Sequence, residues 1–267
     1  MARLLTVRGI SLRFGGLQVL DGVDVDVHER QIVGLIGPNG AGKTSFFNCL
    51  TGIYEPQHGS VEFAGTDISR LPTHKRAQLG LARTWQNLGV VGELTVFDNV
   101  MLALHQRAGY NVLTGMLGLP FSLERERGLR RDAEEILDFL ELRGYADERV
   151  GDLSYGTQKQ CDLAMALATD PVALLLDEPS SGMSPEEAHQ LGDTLRRLRD
   201  TLSLTILMIE HHVPLVVGTC DYVYVLNFGK LLATGEPAEI QRHPDVVAAY
   251  LGDGLESGME VSTDGAA

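Results

Sequence analysis

The stretch GPNGAGKTS, residues 37–45, constrains the fold of this chain more than any other part of the sequence. The apolar run QIVGLI precedes it, and FFNCL, which has the spacing of a helix, follows it. A short apolar run that meets a cluster of glycines is typical of a buried strand, and Gly52 is placed to end a helix that begins at the loop. The sequence therefore predicts a buried strand, a glycine-rich loop and a helix in succession.

The loop fits the pattern G-x-x-x-x-G-K-[ST], which is that of a phosphate-binding P-loop. Glycines let the backbone amides turn toward an anion, and the helix that follows offers unpaired N–H groups and the positive end of its dipole. The alternative is a glycine-rich turn with a chance lysine, which the flanking strand and helix disfavour. Lys43 is expected to reach the β- and γ-phosphates, and Thr44 to ligate Mg²⁺. The predicted ATP-binding loop comprises Gly37, Pro38, Asn39, Gly40, Ala41, Gly42, Lys43, Thr44 and Ser45.

The remainder of the chain alternates between strand and helix patterns. Period-2 alternation in LLTVRGISLRF and GVDVDVH predicts N-terminal strands, and LTILMIE, YVYVLNFG and KLLATG predict later ones. Helical spacing in VFDNVMLALHQ, RDAEEILDFLEL and KQCDLAMALAT predicts an inserted helical subdomain over about residues 87–165. A further helix should begin after Ser184, with Glu187 completing a capping box, and PAEIQRHPDVVAAYLG predicts a last one. Strands that alternate with helices imply an α/β fold with a mostly parallel sheet.

Composition excludes several classes of protein. The net charge of -14 argues against a general nucleic-acid binder, because such a protein needs a basic face to neutralise phosphates. The three cysteines, Cys49, Cys161 and Cys220, are expected to be free buried thiols in a reducing compartment. No signal peptide is visible and no apolar run is long enough to span a membrane, so any membrane role should come through a partner. The acidic tail, residues 253–267, is expected to be disordered.

A second chemical motif is ALLLDEP, in which an apolar strand ends on two acids. Asp177 at the end of this strand would hold Mg²⁺ through water, and Glu178 is placed to polarise the attacking water. The alternative is a structural pair that caps the next helix. Together with the P-loop, the pair favours a nucleotide-hydrolysing site, since both strands can end at the same edge of one sheet.

A third motif, LSYGTQ from Leu153 to Gln158, resembles the signature of ATP-binding cassette (ABC) proteins. The order of P-loop, glutamine loop, signature, acidic strand and histidine is that of this family. The glutamine is Gln86 in ARTWQN, the histidine is His211 in LMIEHH, and Phe14 in LRFGG stands where the family stacks adenine. The resemblance covers roughly residues 4–252, and it implies an N-terminal antiparallel β-subdomain beside the P-loop NTPase core, residues 1–252 forming one nucleotide-binding domain.

The resemblance also implies roles for these residues. Lys43 and Mg²⁺ would neutralise phosphate charge, Glu178 would activate water, and His211 would contact the γ-phosphate. Gln86 would ligate Mg²⁺ and link it to the helical subdomain, and Phe14 would stack on the base. The bland alternatives are a core role for Phe14, a surface role for Gln86, and a structural role for either of the two adjacent histidines.

In this family two subunits meet head to tail, so the signature of one acts on the ATP of the other. The signature residues here are Ser154, Tyr155, Gly156 and Thr157. Tyr155 replaces the usual first glycine and Thr157 the usual glutamine. Ser184 stands where an aspartate often assists communication between the two sites. These three departures are expected to affect the coupling between the two ATP sites of the dimer and to leave ATP binding intact.

Finer features resemble the ATPase subunits of branched-chain amino-acid importers, namely RTWQN, SYGTQ, the ending HPDVVAAYLG and the long segment over residues 105–140. This implies a second ABC ATPase as homo- or heterodimer partner, transmembrane permease subunits, a solute-binding protein as an indirect partner, and a place on the cytoplasmic side of the cell membrane. Related cassettes energise urea or amide import and lipopolysaccharide export. A soluble cassette ATPase acting on ribosomes or DNA and a small-molecule P-loop kinase are the remaining alternatives.

Overall fold

The computed structural model describes residues 2–84, 88–107 and 120–251. Gln86, the middle of the long segment after residue 107, and the tail predicted at residues 253–267 lie outside the described residues. The strands are β1 (Arg3–Phe14), β2 (Leu17–His28), β3 (Ile32–Ile36), β4 (His58–Phe63), β5 (Thr66–Asp67), β6 (Leu81–Arg83), β7 (Ala173–Asp177), β8 (Thr205–Ile209), β9 (Tyr222–Asn227) and β10 (Lys230–Gly235). The helices are α1 (Lys43–Thr51), α2 (Thr73–Gln78), α3 (Val96–Arg107), α4 (Pro120–Phe139), α5 (Tyr155–Ala168), α6 (Pro185–Leu202), α7 (Val213–Thr219), α8 (Pro237–Ile240) and α9 (Pro244–Leu251).

The N-terminal strands form a four-stranded antiparallel sheet in the order β2-β1-β4-β5. Inward-facing side chains of β1 alternate with more exposed ones, as the period of the sequence predicts. The apolar face packs on α1, whose Phe46 and Phe47 are fully buried in the same cluster. The predicted antiparallel β-subdomain is thereby confirmed.

The second sheet has six strands in the order β10-β9-β3-β8-β7-β6, and all its pairs are parallel except β9 with β10. Every residue of β3, β7 and β8 is buried, as expected for parallel strands that are covered on both faces. In β8, Ile209 pairs with Leu35 of β3 on one side and with Asp177 of β7 on the other. The carboxyl ends of the P-loop strand and of the acidic strand therefore meet at one edge, with β8 between them.

The helices α3, α4 and α5 pack together as the sequence predicts for the block before the acidic strand. Val100, Leu104, Ala133, Leu137 and Ala164 form its buried contact and join the core beneath the six-stranded sheet. The amphipathic spacing of these helices accounts for the contact, because the apolar positions recur on one face.

Two helix ends lie where the sequence predicts them, and one predicted helix is interrupted in the structure. Gly52, in a left-handed conformation, ends α1. The Ser184 hydroxyl accepts from the Glu187 amide at the start of α6, and the Glu187 carboxylate accepts from the Ser184 amide, which is the predicted capping box. The prediction of a single last helix from PAEIQRHPDVVAAYLG is wrong, because the structure has two helices there, α8 and α9. Pro244 lacks an amide hydrogen and disfavours a helical conformation for the residue before it, so α8 cannot run through it.

The expectation that the cysteines are buried and free is confirmed within the described part of the chain. Burial raises the pKa of the Cys49 and Cys161 thiols to about 12, so both stay protonated at neutral pH. No described helix combines the length and the apolar character that are needed to cross a membrane.

Candidate active site

The P-loop connects the end of β3 to the start of α1 and is pressed between two neighbouring strands. Gly37 and Gly42 have positive φ angles of 151° and 103°. A Cβ at Gly37 would lie 2.0 Å from the Leu226 carbonyl oxygen of β9, and one at Gly42 would lie 2.8 Å from the Val19 carbonyl oxygen of β2. These two glycines are therefore required by the protein's own packing, in addition to any approach of phosphate.

Lys43 begins α1, and its side chain is buried beneath the loop. Its Nζ donates to the carbonyl oxygens of Gly37 and Pro38, at 2.6 and 2.9 Å. Thr44 in the first turn of α1 is exposed and Ser45 is half-buried. The helix thus presents its N-terminal amides, an ammonium group and two hydroxyl groups to one small region, which is the arrangement that binds a polyphosphate.

Asp177, at the end of β7, is only 2% exposed and pairs with an arginine that the sequence analysis missed. Nη2 of Arg83 donates to Oδ2 of Asp177 at 2.7 Å, and Nη1 donates to Oδ1 of Asn48 in α1 at the same distance. The guanidinium therefore joins the helix that follows the P-loop to the acid of the opposite strand. Its sequence signal is a charged residue at the end of the short apolar strand LAR, three positions before Gln86.

Glu178 follows Asp177 in a left-handed backbone conformation, with φ of 50°. Such a conformation is disfavoured for a residue other than glycine by about 1–3 kcal/mol, and six other described non-glycine residues also have positive φ. The Glu178 amide donates to the Ile209 carbonyl of β8 at 3.0 Å, and Oε1 of Glu178 lies 2.8 Å from Nε2 of His211. The structure thus places His211, rather than His212, against the acid that the sequence assigns to water activation.

Glu210 is a second residue that sequence reasoning missed. Its carboxylate is 2% exposed and accepts three backbone amides: Oε1 from Ser180 at 2.8 Å, and Oε2 from His211 at 3.0 Å and His212 at 3.3 Å. It therefore ties the loop after Glu178 to the loop that carries the histidine. The sequence signal is a glutamate directly after the buried run TILMI, because a carboxylate is tolerated at a buried position only when several hydrogen-bond donors satisfy it.

The side of the site that carries Glu178 and His211 borders a cleft of about 240 Å³. Glu178, Glu210, His211 and Met183 contribute to its walls. Ligands in parallel α/β sheets bind at the carboxyl ends of the strands, and the cleft lies beside Glu178 and His211 at that edge, without a P-loop residue in its lining.

Phe14 ends β1 and pairs with Leu17 across the hairpin. Its side chain is 47% exposed, and its ring meets that of Tyr54 edge to face, with the centroids 5.1 Å apart. The structure therefore places this aromatic ring at the surface rather than in the core. Farther along β2, Val19 packs against Gly42 of the P-loop, so the same strand that starts beside Phe14 reaches the phosphate loop.

Ser154 is the N-cap of α5, and Tyr155, Gly156 and Thr157 form its first turn. The Ser154 hydroxyl caps this helix by accepting from the Thr157 amide at 3.2 Å. Gly156 is buried, and a Cβ there would lie 2.7 Å from Oε1 of Glu187 in α6. The structure thus places the signature beside the start of α6 and beside Gly182 of the loop that follows Glu178.

The segment next to the glutamine loop is tied to the signature helix. The Gly89 amide donates to Oδ1 of Asp162 in α5 at 3.0 Å. Burial raises the pKa of the Asp162 carboxyl, while the Gly89 amide and the charge of Lys159 lower it to a smaller extent. Gln86 lies outside the described residues. No group of three or more His, Cys, Asp or Glu side chains within the described ranges is arranged to hold a metal.

A six-stranded, mostly parallel sheet with a P-loop, two strand-end acids and a histidine at one edge defines a nucleotide-hydrolysing protein. The ABC transporter family matches residues 20–181, more than half of the chain. The chain belongs to the ABC transporter ATP-binding proteins and is an ATPase of that class. Residues 230–256 match the family described as branched-chain amino acid ATP-binding cassette transporter, which places the chain in that group of cassettes.

Individual relatives agree with this assignment. The chain is 40% identical over 250 residues to the high-affinity branched-chain amino acid transport ATP-binding protein BraF of Pseudomonas aeruginosa, covering 94% of this chain and 98% of the relative. It is 41% identical over 251 residues to LivG of Salmonella typhimurium, which has the same description and the same coverage. A crystal structure of an ATP-binding cassette of an ABC transporter in its ADP conformation superposes with a TM-score of 0.82 at 30% identity, covering 94% of this chain and 100% of that one.

Proposed function

We propose that this ATPase energises the uptake of branched-chain amino acids as the ATP-hydrolysing subunit of a membrane importer. The observation that carries the proposal is the full-length similarity to BraF and LivG, which are described as acting in branched-chain amino acid transport. We further propose that residues 1–252 form the nucleotide-binding domain, with the helical subdomain over about residues 87–165, and that the chain works on the cytoplasmic side of the membrane.

ATP would bind with its phosphates on the P-loop and its base against the exposed ring of Phe14. Lys43 would neutralise the β- and γ-phosphates after exchanging the carbonyls of Gly37 and Pro38 for phosphate oxygens. Oxygen donors suit Mg²⁺, and the exposed hydroxyl of Thr44 fits it directly. Asp177 fits it through water, because Arg83 already occupies one carboxylate oxygen. When bound, Mg²⁺ supplies positive charge to the β- and γ-phosphates, and Gln86 would be a further ligand.

Hydrolysis would rest on positioning and electrostatic stabilisation. The Glu178 carboxylate would accept a hydrogen bond from the attacking water and orient it toward the γ-phosphorus. His211 would hold the Glu178 carboxylate at rest, through the 2.8 Å contact, and would contact the γ-phosphate when ATP is bound. Glu210 would fix the backbone of both residues, because its carboxylate binds amides from both loops.

The active unit would be a head-to-tail dimer with a second ABC ATPase, either a second copy or a related chain. Ser154, Tyr155, Gly156 and Thr157 would act on the γ-phosphate held by the partner. The start of α5 favours this, because its exposed N-terminal end carries a positive dipole toward any ligand in front of it.

The permease would contact a groove of about 350 Å³ that lies between α1 and α2 on one side and α3 and α5 on the other. Arg76 and Arg83 line it on the side of the P-loop helix, and Asp162 and Ala103 line it on the side of α3 and α5. Because Arg83 also binds Asp177, an occupant of the groove would touch a residue that is in direct contact with the ATP site. Ala77 is an exposed lining residue, so Ala77→Arg should fill the groove and reduce copurification of the permease. Ala248→Arg, at an exposed position of α9, is the matched control.

The proposal is tested by recovering the tagged chain from membranes and then measuring uptake of radiolabelled leucine, isoleucine and valine, with urea and amides as competing cargoes. We expect a hydrophobic subunit to copurify and leucine uptake to require this chain. Uptake of urea or an amide alone would assign the ATPase to another cargo. Recovery of ribosomal or DNA-binding proteins in place of a permease would contradict a transport role.

A further inference from the structure

The signature of this chain carries a tyrosine that contacts two other parts of its own subunit. Tyr155 is 42% exposed, and its ring packs on Gly182, where a Cβ would lie 3.0 Å from two ring carbons. The same ring lies 5.6 Å from Nζ of Lys159, measured to the ring centroid, which is within the range of a cation–π contact. Gly182 belongs to the loop that follows Glu178, so the signature and this loop touch within one chain.

Lys159 lies one turn farther along α5 and extends this contact to the catalytic residue. Its side chain is only 8% exposed, and its Nζ donates to the main-chain carbonyl of Glu178 at 3.2 Å. Asp162 on the same helix is the nearby group of opposite charge that interacts with it. Lys159 is thereby held between the Tyr155 ring, Asp162 and the Glu178 carbonyl.

The carbonyl that Lys159 binds belongs to the residue with the left-handed backbone. With φ of 50°, Glu178 needs outside contacts to keep its peptide groups in place. Its amide is held by Ile209 and its carbonyl by Lys159, and between these two bonds the side chain is aimed at His211. A shift of the start of α5 would therefore be transmitted to the direction of the Glu178 carboxylate.

We propose that Tyr155 and Lys159 are positioning residues that couple the two ATP sites of the dimer. When the signature contacts the partner's ATP, the start of α5 is fixed, and Lys159 fixes the Glu178 carbonyl in the geometry that orients water in the chain's own site. The inference rests on the proposed function, since it requires that the signature acts across the dimer. It assigns a role to the tyrosine that replaces the usual glycine.

The test compares Lys159→Met and Lys159→Arg in the full chain, with Lys75→Met as the control for loss of an exposed lysine. Lys159→Met should lower kcat by about tenfold, the effect of one charged hydrogen bond in the transition state, with little change in KM for ATP. The ATP dependence, expected to be sigmoidal in the unmodified chain, should become hyperbolic. Lys159→Arg should restore both. Equal loss in both Lys159 variants, or a hyperbolic dependence in the unmodified chain, would overturn the coupling.

The tyrosine is tested in the same assay by a double-mutant cycle. Tyr155→Leu removes the ring that packs on Gly182 and Lys159, so it should lower kcat, and the double variant with Lys159→Met should be no slower than Lys159→Met alone. A rise in KM without a change in kcat would show instead that Tyr155 only touches the partner's nucleotide. If the unmodified chain hydrolyses ATP and all variants match it, the coupling fails while the ATPase assignment stands. A chain without ATP turnover would contradict the proposed function itself.

Discussion

The salt bridge between Arg83 and Asp177 yields the sharpest prediction about stability. Both side chains are almost fully buried, at 5% and 3% exposure, and their atoms are 2.7 Å apart. Arg83→Met would leave the Asp177 carboxylate buried without its cationic partner and would break the bond to Asn48. Removal of one member of a buried pair lowers the free energy of unfolding by about 3–5 kcal/mol. At about 2–4 °C per kcal/mol for a chain of this size class, we expect Tm to fall by about 6–20 °C.

The assay is thermal unfolding of Arg83→Met, Asp177→Asn and the double variant. Because the uncharged asparagine no longer needs the guanidinium, the double variant should lose less stability than the two single changes summed. Arg3→Met is the control, since its exposed pair with Asp26 should contribute less than about 1 kcal/mol. Additive losses within about 0.5 kcal/mol, or an unchanged Tm for Arg83→Met, would refute the view that Arg83 neutralises Asp177.

Three further predictions follow from the site. Lys43→Ala should weaken ATP binding by about 10–100-fold, the loss of one charged phosphate contact, and calorimetry showing unchanged affinity would contradict the P-loop assignment. Glu210→Gln should lower the free energy of unfolding by about 1–3 kcal/mol and should reduce kcat by a larger factor than it changes KM. The reason is that the NH₂ group of glutamine cannot accept the backbone hydrogen bonds that the second carboxylate oxygen accepts. A kcat equal to that of the parent would contradict a positioning role for Glu210. Asp162→Asn should raise stability at neutral pH, since the raised pKa of this carboxyl means that its charged form opposes folding. The gain should shrink as the pH falls through that pKa and the parent carboxyl takes up its proton, and urea titrations at several pH values showing a constant gain would contradict the direction of the shift.

The sequence predicted those parts of the fold that depend on neighbours in the chain. The P-loop is read from spacing alone, and the capping box at Ser184 and the αL glycine at Gly52 were both found where local chemistry places them. The parallel sheet followed from the alternation of buried strands with helices. The division of the last helix was not predicted, because apolar residues recur at helical spacing on both sides of Pro244 and the periodicity alone does not show the break.

The sequence predicted that the P-loop strand and the acidic strand end at one sheet edge, but it did not predict the side-chain contacts between distant residues there. Arg83 and Asp177 are 94 positions apart, and Glu210 binds an amide 30 positions away. No local sequence pattern predicts the partners of Arg83 or Glu210, because a charged residue beside an apolar strand is equally compatible with a strand end that faces solvent. The same holds for Lys159, whose ammonium reaches the Glu178 carbonyl from another element. The order of the strands in the six-stranded sheet brings Arg83, Asp177 and Glu210 to one edge, and the packing of α5 brings Lys159 to the Glu178 carbonyl.

The central claim is that Glu178 activates the water that attacks ATP bound at this sheet edge. Glu178→Gln keeps the size of the side chain but removes its basicity, so single-turnover hydrolysis should slow by about 100-fold or more while ATP affinity is retained. The variant should accumulate as an ATP-bound dimer, visible by light scattering. Glu186→Gln, an exposed glutamate in the first turn of α6, is the matched control and should hydrolyse ATP as the parent does. Normal hydrolysis by Glu178→Gln would contradict the assignment, and slow hydrolysis with ATP trapped in a dimer is the result that the account predicts.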